Sequence, residues 1–295
     1  MIQSELYIPS SLDDALRALA AGPATASRPI AGATWIMRAS LRQERPPSQY
    51  VALGRLEELR KVTASDTSVT LGACLTHAEL NVALSGMPEL KALHSAVTNA
   101  ANPAIRQVAT LGGNLCAVNF PAADLPPALL ALEASVVYCS YAAGAQAIEV
   151  LPLEDFLREH RRLVTEALVT AVRVPRGKRR SVHSRLTFKS SGDYPVAIVS
   201  MAAESSEEGR LQRVRIAVGS VGAVAQRWSE LEDALENSSP DPARAAELAS
   251  GLTSRLETRE GIEAPASYRK QVLPALVKDA VAKLAAEAAR ERTSP

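Results

Sequence analysis

The chain is poor in the residues that build covalent or metal frameworks. Its 295 residues include three cysteines and four histidines. Cys74, Cys116 and Cys139 are widely spaced and form no C-x-x-C pair, which excludes a disulfide framework and an iron–sulfur cluster held by this chain alone. His77, His94, His160 and His183 stand at no ligand spacing to the cysteines or to one another, so they read as ordinary core or surface residues and no metal site is expected. Charge of either sign is not in excess: the net charge is +1, which offers no general attraction to nucleic acid or to membranes. A basic-then-apolar leader is absent from the first residues, and no apolar run is long enough to cross a bilayer, so a cytoplasmic chain without a membrane contact is expected.

What is present is ample material for buried cores. Hydrophobic residues make up 47% of the chain and charged residues 22%, a composition of ordinary globular proteins. The length exceeds what one core usually supports, so two or three domains are expected. Ser11 stands as the N-cap of a helix with Leu12, Ala15, Leu16 and Leu19 on one face and Asp13 and Asp14 in its first turn. Gly22 and Pro23 end it, and Pro29 to Gly32 read as a strand. Tyr50 to Leu53 forms a further short strand, and the first boundary falls near Gly54, giving a first α/β part over residues 1–54.

Residues 55–174 read as a second, α+β part. Val69-Thr70-Leu71 alternates as a strand, and Thr76 with Glu79 three residues on is a capping-box signature. Leu90, Leu93 and Val97 share a helix face that stops before Pro103. Pro127 opens a short helix through Leu132, and Ser135 to Cys139 and Ile148 to Val150 read as strands. The remainder, 175–295, has strand runs at 185–188, 196–202 and 214–218, then helices at 228–235, 243–256 and 267–284, which is the order of a separate α+β domain. Pro274 is expected to kink or divide the last helix. The basic run Arg176-Gly177-Lys178-Arg179-Arg180 reads as an exposed linker or hairpin; as a nucleic-acid patch it is short and lacks interleaved aromatics. Gly219-Ser220-Val221-Gly222 lacks a third glycine and reads as a simple turn.

Two bends carry the functional signal. Arg106 to Cys116 contains Thr110-Leu111-Gly112-Gly113-Asn114 and is followed by Pro121, Asp124 and Pro127. Far upstream, Pro29-Ile30-Ala31-Gly32-Ala33-Thr34-Trp35-Ile36 runs an apolar strand into a bend of small residues and then a hydroxyl. Small residues let backbone approach a bulky anion, and successive N–H groups in such turns converge on phosphate oxygens. Neither bend follows the grammar of a phosphate loop or of a G-x-G-x-x-G turn.

On these residues the chain resembles the FAD-binding, or medium, subunit of the molybdenum hydroxylases, the family of xanthine dehydrogenase and carbon monoxide dehydrogenase. The family's first flavin loop, A-G-G-T-[DN], is matched by Ala31 to Trp35, and its second, R-N-x-G-T-[IL]-G-G-N, by Arg106 to Asn114. P-x-x-D-x-x-P is matched by Pro121, Asp124 and Pro127, with further echoes at Leu153 to Phe156, Lys189 to Tyr194, Val199-Ser200 and Ser267-Tyr268-Arg269. The resemblance spans almost the whole chain. It implies a two-part FAD-binding region of the vanillyl-alcohol-oxidase-like, PCMH-type fold followed by a C-terminal α+β domain.

It also implies an oxidoreductase flavoprotein subunit that passes electrons from partner iron–sulfur clusters through FAD to an external acceptor. The implied partners are a large molybdenum-cofactor subunit and a small 2Fe-2S subunit, assembled as a dimer of heterotrimers. No catalytic side chain is implied, since the isoalloxazine carries the redox work. The amides of Ala31 to Thr34 and Gly112 to Asn114 are the implied pyrophosphate donors, with Thr34 and Thr110 adding hydroxyls. Pro29, Ile30, Trp35, Ile36 and Leu111 complete the two loops, Asp124 binds the nucleotide part, and Ala100 and Val169 align with positions that touch FAD. Lys189 is either a cation beside the flavin ring or a solvated strand lysine, and Tyr194 falls nearby.

Departures from the pattern are Ala33 and Ala109 for glycines, Trp35 for a polar residue and Gln107 for an asparagine. An alanine held at positive φ costs roughly 1–2 kcal/mol, against about 12 kcal/mol for a nanomolar cofactor. Trp35 must either point away from the pyrophosphate turn or cover part of the ligand. The alternatives are a structural subunit that has lost the cofactor, motivated by these changes, and a self-contained flavin oxidase.

Overall fold

Ser11 does cap the first helix: its hydroxyl accepts from the Asp14 amide at 3.1 Å, and Leu12–Ala20 buries Ala15 and Leu16. In the computed structural model, residues 4–23, 26–142, 145–187, 194–261 and 263–293 are described. They form two compact units whose sequence segments interleave. The first comprises 1–80, 103–118 and 135–174; the second comprises 81–102, 119–134 and 175–295. Segments 81–102 and 119–134 therefore pack with the C-terminal part, a grouping that the linear divisions near 54 and 174 do not express.

In the first unit, strands β1 (Glu5–Tyr7), β2 (Ser27–Ile30) and β3 (Gln49–Ala52) form a parallel sheet in the order β1-β3-β2. The strand entering the first bend ends at Ile30, so Ala31 and Gly32 already lie in the bend. A second sheet has the order β4-β5-β8-β6-β7, with β4 (Val62–Ala64), β5 (Ser68–Gly72), β6 (Ser135–Ala142), β7 (Ala145–Pro152) and β8 (Leu168–Pro175). The Leu12–Ala20 helix contacts both sheets through β2, β3 and β6. A core of Ala15, Leu16, Val51, Leu53, Leu56, Leu59, Cys74, Cys139 and Leu168 fills the space. All three cysteines are free.

The second unit is built on an antiparallel sheet, β12-β11-β10-β9, from β9 (Arg180–Thr187), β10 (Pro195–Ser205), β11 (Leu211–Gly219) and β12 (Gln226–Arg227). Its core joins Val199, Met201, Ile216 and Trp228 to the apolar face of the last helix. That helix, Ala266–Thr293, runs unbroken through Pro274, contrary to the expected division. Burial of Leu273, Leu276, Val277, Ala280, Val281 and Leu284 on either side of the proline holds both turns against the sheet, which outweighs one missing backbone hydrogen bond.

The basic run joins β8 to β9 as a linker with Arg176, Gly177 and Lys178 exposed, as read from the sequence, while Arg179 is buried and its neighbours are tied down. Arg176 Nε donates to Glu89 at 2.7 Å, buried Arg179 donates to the Leu132 carbonyl at 3.1 Å, and Arg180 donates to the Ser205 hydroxyl at 2.9 Å. These contacts make the guanidinium groups structural ties. Among the described residues, no helix is long and apolar enough to cross a membrane, and no group of histidines, cysteines and carboxylates is placed to hold a metal ion.

Candidate functional site

Within the first unit the two bends meet. A Cβ added to Gly32 would overlap the carbonyl oxygen of Val108 and stand 2.7 Å from its carbonyl carbon and 3.1 Å from Ala109 Cα. Only glycine allows this approach, because the obstacle is backbone and has no rotamer to yield. After Gly32, Ala33 takes φ 60°, the left-handed conformation that turns successive amides to one side. The amides of Gly32, Ala33 and Thr34 make no hydrogen bond within the described residues, and all three residues are only half-buried. Unpaired, half-buried amides around a left-handed residue are the donors that an anion-binding nest requires.

The second bend is organised differently. Thr110 caps the short helix Leu111–Cys116, its Oγ1 accepting from the Gly113 amide at 3.1 Å. The Gly112 amide donates to the Ala73 carbonyl at 2.7 Å, Leu111 to Leu75 at 2.9 Å and Asn114 to Thr110 at 2.9 Å. A Cβ on Gly112 would crowd Ala73, 2.9 Å from its side chain. The donors read from Gly112 to Asn114 are thus already engaged, and this bend serves as a wall stitched to residues 73–76, with Thr76 bridged to Thr110. Thr76 and Glu79 form the expected capping box, each side chain accepting from the other's amide at 3.2 and 2.8 Å. Ala109 is absent from the positive-φ residues, so its substitution for glycine carries no such strain.

Trp35 neither floats nor clashes. Its indole Nε1–H donates to the Val118 carbonyl at 3.1 Å, and the Arg42 guanidinium lies 4.0 Å from the ring centroid. Met37 donates to Ala33, and a 3-10 helix over Ile36–Arg42 follows. Pro29 and Ile30 pair with Val51 and Ala52 in the parallel sheet, and buried Val169 pairs with Tyr138. His160, buried in this unit, donates Nε2–H to the Leu115 carbonyl at 2.8 Å and so pins the helix of the second bend. Since a carbonyl only accepts, that nitrogen carries the proton, and burial holds the imidazole below its ordinary pKa.

In the second unit, Asp124 is buried beside Arg185, whose Nε lies 2.9 Å from Oδ1, close enough for an ion pair though not aligned as a hydrogen bond. His183 Nε2 stands 3.6 Å from the same oxygen while its Nδ1 meets the Ser200 hydroxyl at 2.9 Å. Arg185 also donates to the Asn99 carbonyl at 2.5 Å, next to Ala100, which caps the helix Lys91–Asn99 and is buried. Lys189 lies outside the described residues. Sequence reasoning did not find Arg42, Val118, His160, His183 or Arg185. One signal was present at Gly72, since a glycine closing a strand marks close backbone approach, and a Cβ there would overlap the Leu59 carbonyl.

Comparisons with known proteins identify the family. Residues 2–177 match the FAD binding domain in molybdopterin dehydrogenase, and residues 185–284 match the CO dehydrogenase flavoprotein C-terminal domain. The chain is 29% identical over 282 residues to the 6-hydroxypseudooxynicotine dehydrogenase complex subunit alpha of Paenarthrobacter nicotinovorans, covering 95% of this chain and 93% of that one. It is 25% identical over 280 residues to the glyceraldehyde dehydrogenase medium chain of Sulfolobus acidocaldarius, with 93% and 96% covered. Quinoline 2-oxidoreductase from Pseudomonas putida 86 superposes with a TM-score of 0.85 at 25% identity over 97% of this chain and 98% of that one. Carbon monoxide dehydrogenase from Hydrogenophaga pseudoflava shares the fold, with a TM-score of 0.84 at 23% identity over 96% and 98%. Two matched domains that together span most of the chain lead to one assignment: the chain belongs to the FAD-binding flavoproteins of the molybdopterin dehydrogenases and is an oxidoreductase chain whose cofactor is FAD.

Proposed function

We propose that this chain is the electron-exit subunit of a molybdenum hydroxylase, taking electrons from a partner's 2Fe-2S clusters and delivering them to an external acceptor. The observation that carries the reading is the trio of free amides at Gly32, Ala33 and Thr34 beside the Gly32–Val108 approach. These amides hold the FAD pyrophosphate, with the Thr34 hydroxyl beside them. Thr110, Leu111, Gly112, Gly113 and Asn114 shape the opposite wall. Pro29, Ile30, Ala31, Trp35 and Ile36 frame the nest. By the family resemblance, Ala100, Asp124, Val169 and Lys189 are further FAD contacts. When bound, the isoalloxazine accepts electrons in pairs or singly and so joins one-electron clusters to a two-electron acceptor. The protein's own part is to bind, to orient and to keep the pyrophosphate charge compensated by fixed dipoles.

A large molybdenum-cofactor subunit and a small iron–sulfur subunit complete the assembly as a dimer of heterotrimers, in the cytoplasm. Relatives described as a medium chain and as a complex subunit support the multi-subunit reading, and three free cysteines support a reducing compartment. The test uses the native complex stripped of FAD. Substrate should still bleach the iron–sulfur absorbance while reduction of the external acceptor stops, and added FAD should restore it. Undiminished acceptor turnover without flavin would overturn the route.

A further inference from the structure

The residue after Thr34 stands where the family pattern has a small polar residue, yet it is anchored at three points, two on its indole and one on its carbonyl. Trp35 Nε1–H donates to the carbonyl of Val118, two residues past the helix of the second bend and 83 positions away in sequence. Arg42 stacks on the indole at 4.0 Å and donates from Nη1 to the Trp35 carbonyl at 3.2 Å. Glu44 in turn fixes Arg42 in a bidentate pair, Nε to Oε1 at 2.7 Å and Nη2 to Oε2 at 2.9 Å. Gln43, at φ 56°, provides the tight reversal that lets Arg42 and Glu44 share this pair.

Resting on the FAD reading above, we infer that Trp35, Arg42 and Glu44 form a clasp that holds the first bend closed on the second, making Trp35 a positioning residue for the pyrophosphate amides. The physical need is specific to this chain. Ala33 holds a conformation that disfavours alanine, so the bend gains from an external restraint against relaxing to negative φ. A tie from Trp35, two residues on, to Val118 past the opposite bend supplies it. The indole serves through the backbone it fixes, and contact with the isoalloxazine forms no part of its role. A preformed nest also spares the ordering cost that a loose loop would incur on binding.

The test uses the full chain freed of flavin, with FAD, ADP and riboflavin as probes. Trp35→Phe keeps the ring and removes the donor, and Arg42→Met removes the stack and the second tie. Each should weaken FAD and ADP alike by about fivefold, the ratio that one net hydrogen bond supplies. Riboflavin, which lacks the pyrophosphate, should bind with wild-type affinity. The double variant should lose no more than about tenfold, since either break opens the same clasp. Wild-type FAD and ADP affinities in both single variants overturn the clasp. A loss for riboflavin equal to that for FAD also overturns it, assigning Trp35 to ring contact or to general stability. A wild-type chain that takes up no FAD instead overturns the functional reading beneath it.

Discussion

The carboxylate of Asp124 and the guanidinium of Arg185 lie within 2.9 Å of each other in the buried part of the second unit, neither of them much exposed. A family position read from sequence as a ligand contact thus also bears a structural charge pair. Removing one partner of such a pair strands the other in low dielectric.

Asp124→Asn should therefore destabilise the chain by about 3–5 kcal/mol, seen as a lower denaturant midpoint in the absence of flavin. The double variant Asp124→Asn with Arg185→Met should recover part of that loss, because no buried charge remains. A single variant as stable as wild type would show that the pair is solvated.

Gly32→Ala places a methyl group into the Val108 carbonyl. The two bends must separate, which should cost about 1–3 kcal/mol and lower FAD affinity by the corresponding five- to 150-fold. Gly86→Ala, with nothing within 4 Å of its added Cβ, is the control and should leave both stability and flavin content unchanged. Flavin absorbance per mole of purified protein reads the difference.

Ala33→Gly should act in the opposite direction. Relief of about 1–2 kcal/mol of left-handed strain exceeds the roughly 0.5–1 kcal/mol of chain entropy that glycine costs. The flavin-free chain should gain about 0.5–1 kcal/mol by this difference, measured by urea unfolding, and should retain FAD binding.

His160 gives the stability a pH dependence. Burial lowers its folded pKa beneath the ordinary 6.5, so the unfolded chain binds the proton more readily. Stability from this residue is complete above about pH 6.5 and is lost as pH falls from there toward the folded value. His160→Gln, which keeps a donor for Leu115 without a titrating ring, should flatten that limb. An unchanged pH profile would remove His160 as its source.

Much of the local structure was legible in the chain. Ser11 as a cap, the Thr76 and Glu79 box and the helix carrying buried Leu93 and Val97, with Leu90 at its N-cap, all follow from short-range hydrogen bonding and periodicity. These depend on neighbours within four residues, which a sequence displays directly. The continuous helix through Pro274 and the buried Arg179 were not legible, since each is decided by partners far along the chain. Arg179 finds its acceptor 47 residues away.

The same division holds for the cofactor site. Sequence alone determined that two bends of small residues exist, that the first runs out of a strand and that an aspartate follows the second. Tertiary structure alone decided that Gly32 abuts Val108, that the amides after Gly32 stay free while those of Gly112 to Asn114 are spent on Ala73 and Thr110, and that Trp35 reaches Val118. The physical reason is that a backbone donor's availability depends on which carbonyl the fold brings to it, and that pairing is set by distant strands and helices rather than by the residues of the bend itself.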